Sequence, residues 1–269
     1  MKQHYGDVKV TLMDGFVGIC EIQRGPNNFF DQQLIKDLAD CFEDLDAEPA
    51  CRSIVLCSEG KHFCAGANFS SSAAGNDSGD LSRPKGHAEG ETNPLYGEAV
   101  RLFRCKTPVI AAVQGAAVGG GFGLAVMADF RVACPNTRMT ANFVKLGFTP
   151  GFGLTHTLPR IIGVQNANLL FMTGRRIDGE TAYAWGLADI YSTADAIRDD
   201  AIKLAQEIAA NAPLALTSVR EQLRPGLADA VKAITDIESR EQYWLQRTQD
   251  HKEGIKAVSE KRAGNFTST

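Results

Sequence analysis

Residues 108–129, PVIAAVQGAAVGGGFGLAVMAD, decide how the rest of this 269-residue chain is read. Residues 108–113 form a short apolar run closed by Gln114-Gly115, the pattern of a strand buried on both faces. Gly119, Gly120 and Gly121 follow, and residues 122–128 are apolar enough for a buried helix. A strand that feeds a glycine turn at a helix start presents bare backbone N–H groups. The helix dipole adds about half a positive charge there, and absent side chains let a ligand approach. The stretch is thus a tight turn or a site for an anion or oxyanion. Two nucleotide readings fail on spacing. A phosphate-cradling loop needs Gly-Lys-Ser/Thr after the glycines, where this chain has Phe122-Gly123. The dinucleotide fingerprint needs glycine at 124 or 126, which hold Leu124 and Val126.

Upstream, residues 8–12 and 16–22 flank Asp14-Gly15 as a hairpin. Asp31 caps a helix to residue 45, and residues 53–57 read as a short buried strand. A small-residue turn, His62-Phe63-Cys64-Ala65-Gly66-Ala67-Asn68-Phe69, ends that strand. Residues 70–93, rich in Ser, Gly, Asp and Pro, read as a long loop, mobile or a lid, and His62 and His87 read as solvated loop histidines. A helix over 95–105 leads into the glycine stretch. Downstream come strands at 130–133 and 137–141, a loop over 142–153, and helices at 154–162, 164–173 and 179–185. A strand at 187–190 precedes helices alone, at about 197–208, 214–223, 227–247 and 251–260. The order predicts an α/β core over 1–190 and a helical region over 191–269.

Composition narrows the function classes. The net charge of −4 offers no basic field for nucleic acid or an anionic membrane. Seven cysteines, odd in number and with no C-x-x-C pair, fit buried thiols in a reducing compartment rather than disulfides or a zinc site. Residues 1–7 carry no secretory apolar region, and no apolar run approaches ~18 residues. These features predict a soluble, cytoplasmic protein.

The turn Cys64-Ala65-Gly66-Ala67-Asn68, the triplet Gly119-Gly120-Gly121, the pair Pro150-Gly151 and the ending Glu260-Lys261-Arg262-Ala263-Gly264-Asn265-Phe266 together resemble the crotonase superfamily of enoyl-CoA hydratases and isomerases. The resemblance spans residues 8–266. It implies a spiral of ββα units with a C-terminal helical subdomain that builds trimers or dimers of trimers. It implies an acyl-CoA substrate, with coenzyme A as part of that substrate and no separate cofactor or metal. By position, the backbone N–H groups of Ala67 and Gly120 would form an oxyanion hole. Pro26, Asn28, Ala65, Asn68 and Phe69 would line the CoA groove, and Lys261 and Phe266 would meet its adenosine end. Asn68 departs from the commoner aspartate.

The larger departure concerns the catalytic acids. A hydratase of this kind uses two glutamates, and their positions here hold Gly123 and Phe143. Neither side chain moves a proton near neutral pH. His156 reads either as a helix-surface or inter-subunit histidine or as a relocated base. Lys145 reads as exposed or groove-lining, and Asp129 as a structural cap or loop anchor. Tyr96 and Glu98 border the long loop without a placement. Phe143, Phe148, Phe122 and Phe152 are either core or the wall of an apolar acyl pocket. The expected activity is stabilisation of a thioester enolate, with decarboxylation, hydrolysis or isomerisation ahead of ordinary hydration. The alternative is a non-catalytic CoA-binding or interaction module. A Clp-type serine protease is excluded, because no serine stands at positions 121–123.

Overall fold

A computed structural model describes residues 1–68 and 92–269; Phe69, His87 and the rest of 69–91 lie outside the described residues. Strands β1 (His4–Tyr5), β2 (Val8–Met13) and β3 (Val17–Ile22) form an antiparallel meander. Helix α1 (Gln32–Asp46) is capped by the Asp31 side chain, which accepts from the Leu34 N–H. Strand β4 (Ser53–Ser58) runs parallel to β3. Helix α2 (Pro94–Arg104) follows, then β5 (Val109–Val113), β6 (Ala116–Val118), α3 (Gly120–Met127), β7 (Phe130–Ala133) and β8 (Arg138–Thr140). A 3-10 turn at Asn142–Leu146 leads to α4 (Leu154–Thr173), β9 (Arg176–Asp178), α5 (Gly179–Ala184) and β10 (Ile190–Tyr191). Helices α6 (Ile197–Ala209), α7 (Pro213–Leu223), α8 (Leu227–Leu245) and α9 (Gln249–Ser259) complete the chain.

The strands divide between a large sheet ordered β1-β2-β3-β4-β5-β7-β10 and a small one ordered β6-β8-β9. The chain visits them in turn. β5 enters the large sheet, β6 the small one, and α3 follows; β7, β8 and α4 repeat the step. Cys64 bridges Ala117 in parallel, so β4, Cys64 and α2 are the same step with a single-residue second strand. This is the ββα spiral with C-terminal helices that the resemblance implies.

Both faces of the large sheet are covered at β4 and β5, which explains their unbroken apolar runs, whereas β2 alternates buried and exposed residues. Ile54, Leu56, Val109 and Ala111 face one cluster, which includes Leu38 of α1 and Leu102 of α2. Val55, Cys57, Ile110 and Ala112 face the other, closed by Ala201, Ala205 and Ala209 of α6. The expected boundary at residue 190 therefore separates the sheet from one of its own covering layers. Helix α7 buries none of its residues. It is tied down electrostatically: Arg220 and Arg224 donate to Asp129 at 2.9 and 2.7 Å, and Asp129 also accepts from the Val109 N–H. Asp129 is the loop anchor the sequence suggested. All seven cysteines are buried and unpaired. Among the described residues no helix is long and apolar enough to cross a membrane.

The break expected at Gly163 is present: at φ 76° and ψ 156° that residue leaves helical geometry and divides α4 into two helical segments. Two local expectations need correction. The glycine turn follows β6 in the small sheet, not β5; three residues, Ala-Ala-Val, are too few to show a period. The strand expected at 187–190 is confined to β10, since the Leu187 and Ala188 N–H groups close α5 by donating to Ala182 O. Strand β9 was not anticipated.

Candidate active site

Two turns hang from β6. The Cys64 N–H donates to Ala116 O and the Val118 N–H to Cys64 O, at 2.9 and 3.0 Å, which fixes the 64–67 turn along that strand. Gly66 adopts φ +85°, and a Cβ there would stand 2.8 Å from Val118 O, so only glycine allows this approach. The 27–30 loop backs the turn, with the Ala65 N–H donating to Asn27 O and the Phe30 N–H to Gly66 O. At its other end β6 runs directly into Gly119, whose N–H donates to Thr140 O at 2.9 Å before α3 begins.

Ala67 and Gly120 consequently line one cavity of about 220 Å³. Neither N–H donates to any acceptor among the described residues. For Gly120 this follows from its place as the first residue of α3, where no carbonyl lies one turn back. One cavity thus receives two bare backbone donors, one of them at a helix start, a combination suited to an anion or oxyanion.

The cavity is walled by aromatic and aliphatic groups, including Phe30, Phe143, Phe148 and Phe152. Phe143 meets Phe148 edge-on at 5.5 Å, and Phe152 meets Phe30 edge-on at 6.4 Å. Among the described residues, three side chains bring polarity to it. The Tyr96 hydroxyl donates to Gln242 Oε1 at 2.7 Å, and Gln242 Nε2 donates to Thr149 O at 3.0 Å. Asn142 is the third. No Asp, Glu, His or Lys lines the cavity among the described residues.

Position 123 has no room for an acid. A Cβ on Gly123 would stand 2.7 Å from Phe152 Cβ, so the aromatic ring system occupies that direction. Phe143 does line the cavity, and presents a ring. One buried carboxylate lies behind the wall. Glu238 of α8 accepts from the Gly153 N–H at 2.8 Å and from the Thr155 hydroxyl at 2.6 Å. Burial pushes its pKa up to about 7, against the lowering effect of those bonds.

The remaining candidates separate. Ala65 lines the cavity with Ala67 and Gly120. Asn28 is fully buried, its carboxamide donating to Glu59 O and His62 O, so it pins one loop to another. Pro26 is exposed and Asn68 half-buried, and neither lines the cavity. His156 sits in the first turn of α4, half-buried and outside the lining, with burial and then Arg160 holding its pKa low. Lys261 and Phe266 lie beyond α9, exposed; only Val258 of that helix reaches the cavity. Phe69 falls outside the described residues. Lys145 is exposed, and Phe122 is core rather than wall. His62 is not a solvated loop residue: it is half-buried, and its Nδ1 accepts from the Ala116 N–H.

Sequence reasoning missed Phe30, Gln242 and Val258, and left Tyr96 unplaced. Gln242 and Val258 come from the region assigned to oligomerisation, so the site is not confined to residues 1–190. It also missed His251, buried on α9, whose Nδ1 is paired with Leu146 O at 2.6 Å and whose ring backs Phe148. Among the described residues no three His, Cys, Asp or Glu side chains gather as metal ligands.

Residues 15–269 match the enoyl-CoA hydratase/isomerase family. The Bacillus subtilis (strain 168) "Probable enoyl-CoA hydratase" is 30% identical over 257 residues, covering 94% of this chain and 96% of that protein. The mevalonyl-coenzyme A hydratase SIDH of Beauveria bassiana (strain ARSEF 2860) is 34% identical over 242 residues, covering 87% and 85%. Among solved structures, an enoyl-CoA hydratase/isomerase from Pseudoalteromonas atlantica T6c superposes with a TM-score of 0.84 at 25% identity, covering 97% of this chain and all of that one.

Proposed function

The chain belongs to the enoyl-CoA hydratase/isomerase family, whose members act on acyl-CoA thioesters, and from that premise we propose that it holds a thioester enolate between two backbone amides without the usual pair of carboxylates. The carrying observation is that the unpartnered N–H groups of Ala67 and Gly120 open on a cavity whose described lining has no acid. Two such donors in a water-poor site stabilise a developing oxyanion by several kcal/mol. Coenzyme A enters as part of the substrate.

Decarboxylation makes the fewest demands on this lining. The bond from the α carbon to the carboxylate breaks, CO₂ leaves, and the electron pair moves into the thioester as an enolate. Water then protonates the α carbon. An apolar wall disfavours the localised carboxylate charge relative to an enolate spread over the thioester and held by two amides. Hydrolysis and isomerisation follow in order of preference, and two-carboxylate hydration comes last.

Oligomerisation and location belong to the same proposal. Exposed Leu214, Val219 and Leu223 on α7 support assembly of 191–269 into a homotrimer or a dimer of trimers, and buried free thiols support a cytoplasmic setting.

The test incubates the protein with malonyl-CoA and with crotonyl-CoA. CO₂ release that outpaces hydration supports the proposal. Rapid hydration of crotonyl-CoA overturns it, and tight binding of thioesters with no turnover of any establishes a binding module instead.

A further inference from the structure

We propose that Asn142 sets specificity in this cavity, its carboxamide selecting acyl thioesters that carry an oxygen acceptor on the β carbon. The inference rests on the acyl-CoA reading above and names the substrate class for that same site.

Strand β8 delivers Asn142 to the oxyanion turn. Thr140 pairs with Val118, and the Gly119 N–H donates to Thr140 O, so the backbone two residues before Asn142 is fixed against the glycines. Ala141, at φ −102° and ψ 65°, then turns the chain so that Asn142 opens the 3-10 segment and lines the cavity with Ala67 and Gly120. A Cβ on Gly119 would lie 3.9 Å from Asn142 Oδ1, which puts the carboxamide beside the turn that presents the Gly120 N–H.

The three polar side chains of the lining are not equivalent. Tyr96 and Gln242 bond one another, and Gln242 is further held by Thr149 O. The Asn142 carboxamide makes no hydrogen bond to any described residue. The residue lines a space walled by Phe143 and other rings, where a ligand that displaces water from the carboxamide must replace the lost hydrogen bonds or leave them unmade. A thioester whose carbonyl oxygen lies between Ala67 and Gly120 has its β carbon two bonds from the carbonyl carbon, within reach of a side chain flanking those amides. An oxygen there accepts from Asn142 Nδ2. A plain alkyl chain leaves the carboxamide unpaired, so the discrimination is against hydrocarbon as much as for oxygen.

The test is calorimetric titration of the full chain with acetoacetyl-CoA and butyryl-CoA, which share chain length and differ in the β oxygen. Wild type is expected to bind acetoacetyl-CoA about tenfold more tightly. Asn142→Ala removes that preference by weakening acetoacetyl-CoA alone, at an unchanged thermal midpoint. Asn142→Asp replaces the donors with a negative charge and weakens malonyl-CoA more than acetoacetyl-CoA. Equal affinity of wild type for the matched pair overturns the inference while leaving the acyl-CoA reading intact, as does an equal loss for both ligands in Asn142→Ala. Failure to bind any thioester overturns both.

Discussion

Phe30 lies over Gly120 so closely that a Cβ on the glycine would stand 2.1 Å from Phe30 Cζ. The ring is edge-on to Phe152, which in turn fills the direction a side chain at 123 would take. One aromatic pair thus enforces glycine at position 120 and leaves no room for a side chain at position 123.

Gly120→Ala keeps the N–H but drives a methyl into Phe30. It is expected to destabilise the fold by about 1–3 kcal/mol and to lower turnover, as overpacking does. Phe30→Ala made in that background removes the clash, so the double variant is destabilised less than the sum of the singles. Denaturant midpoints for the four proteins measure this directly; additive losses refute the steric account.

Acids introduced at positions 143 and 123 are expected to behave differently. Phe143→Glu puts a carboxylate at a cavity-lining site and raises crotonyl-CoA hydration above wild type. Gly123→Glu collides with Phe152 and gives destabilisation without hydration. Hydration assays alongside thermal midpoints separate the two, and comparable gains from both contradict the packing argument.

Glu238 gives a pH signature. Burial raises its pKa from the ordinary 4.5 to about 7 in the folded chain, so the native state holds the proton more tightly than the unfolded one. Its contribution to stability is complete below about pH 4.5 and is lost as pH rises through about 7, an effect on the order of 3 kcal/mol. The wild-type thermal midpoint is therefore expected to fall across that window relative to Glu238→Gln, which does not titrate. Parallel curves for the two proteins exclude it.

Asp129 neutralises Arg220 and Arg224 where all three are largely buried. Asp129→Ala strands two guanidinium groups and frees the Val109 N–H, and is expected to lower stability by about 3–5 kcal/mol. Such a loss shows in chemical denaturation. Because the three lie outside the cavity lining, acyl-CoA affinity of the folded fraction stays unchanged.

Most of the fold was legible because its signals are local. The capping Asp31, the Asp14-Gly15 turn and the two-faced apolar runs at Ser53–Ser58 and Val109–Val113 each announce an element within a few residues. The three-residue strands β6, β8 and β9 lie near or below the length at which a period can be read, and of these β6 and β9 escaped. The site split along the same line. Ala67 and Gly120 were readable because glycine-flanked amides mark a turn by composition alone. Gln242 and Val258 were not, because they sit on ordinary amphipathic helices and gain their role only when α8 and α9 fold back over the cavity. The structural part of Asn28 was hidden for the opposite reason. A buried carboxamide that ties two loops together looks, in sequence, the same as one offered to a ligand.

A crystal structure of the chain with a non-reactive acyl-CoA tests the central claim most directly. The account predicts the thioester oxygen within about 2.7–3.1 Å of both the Ala67 and Gly120 nitrogens. A thioester oxygen bound elsewhere, or touching only one of those amides, would contradict it.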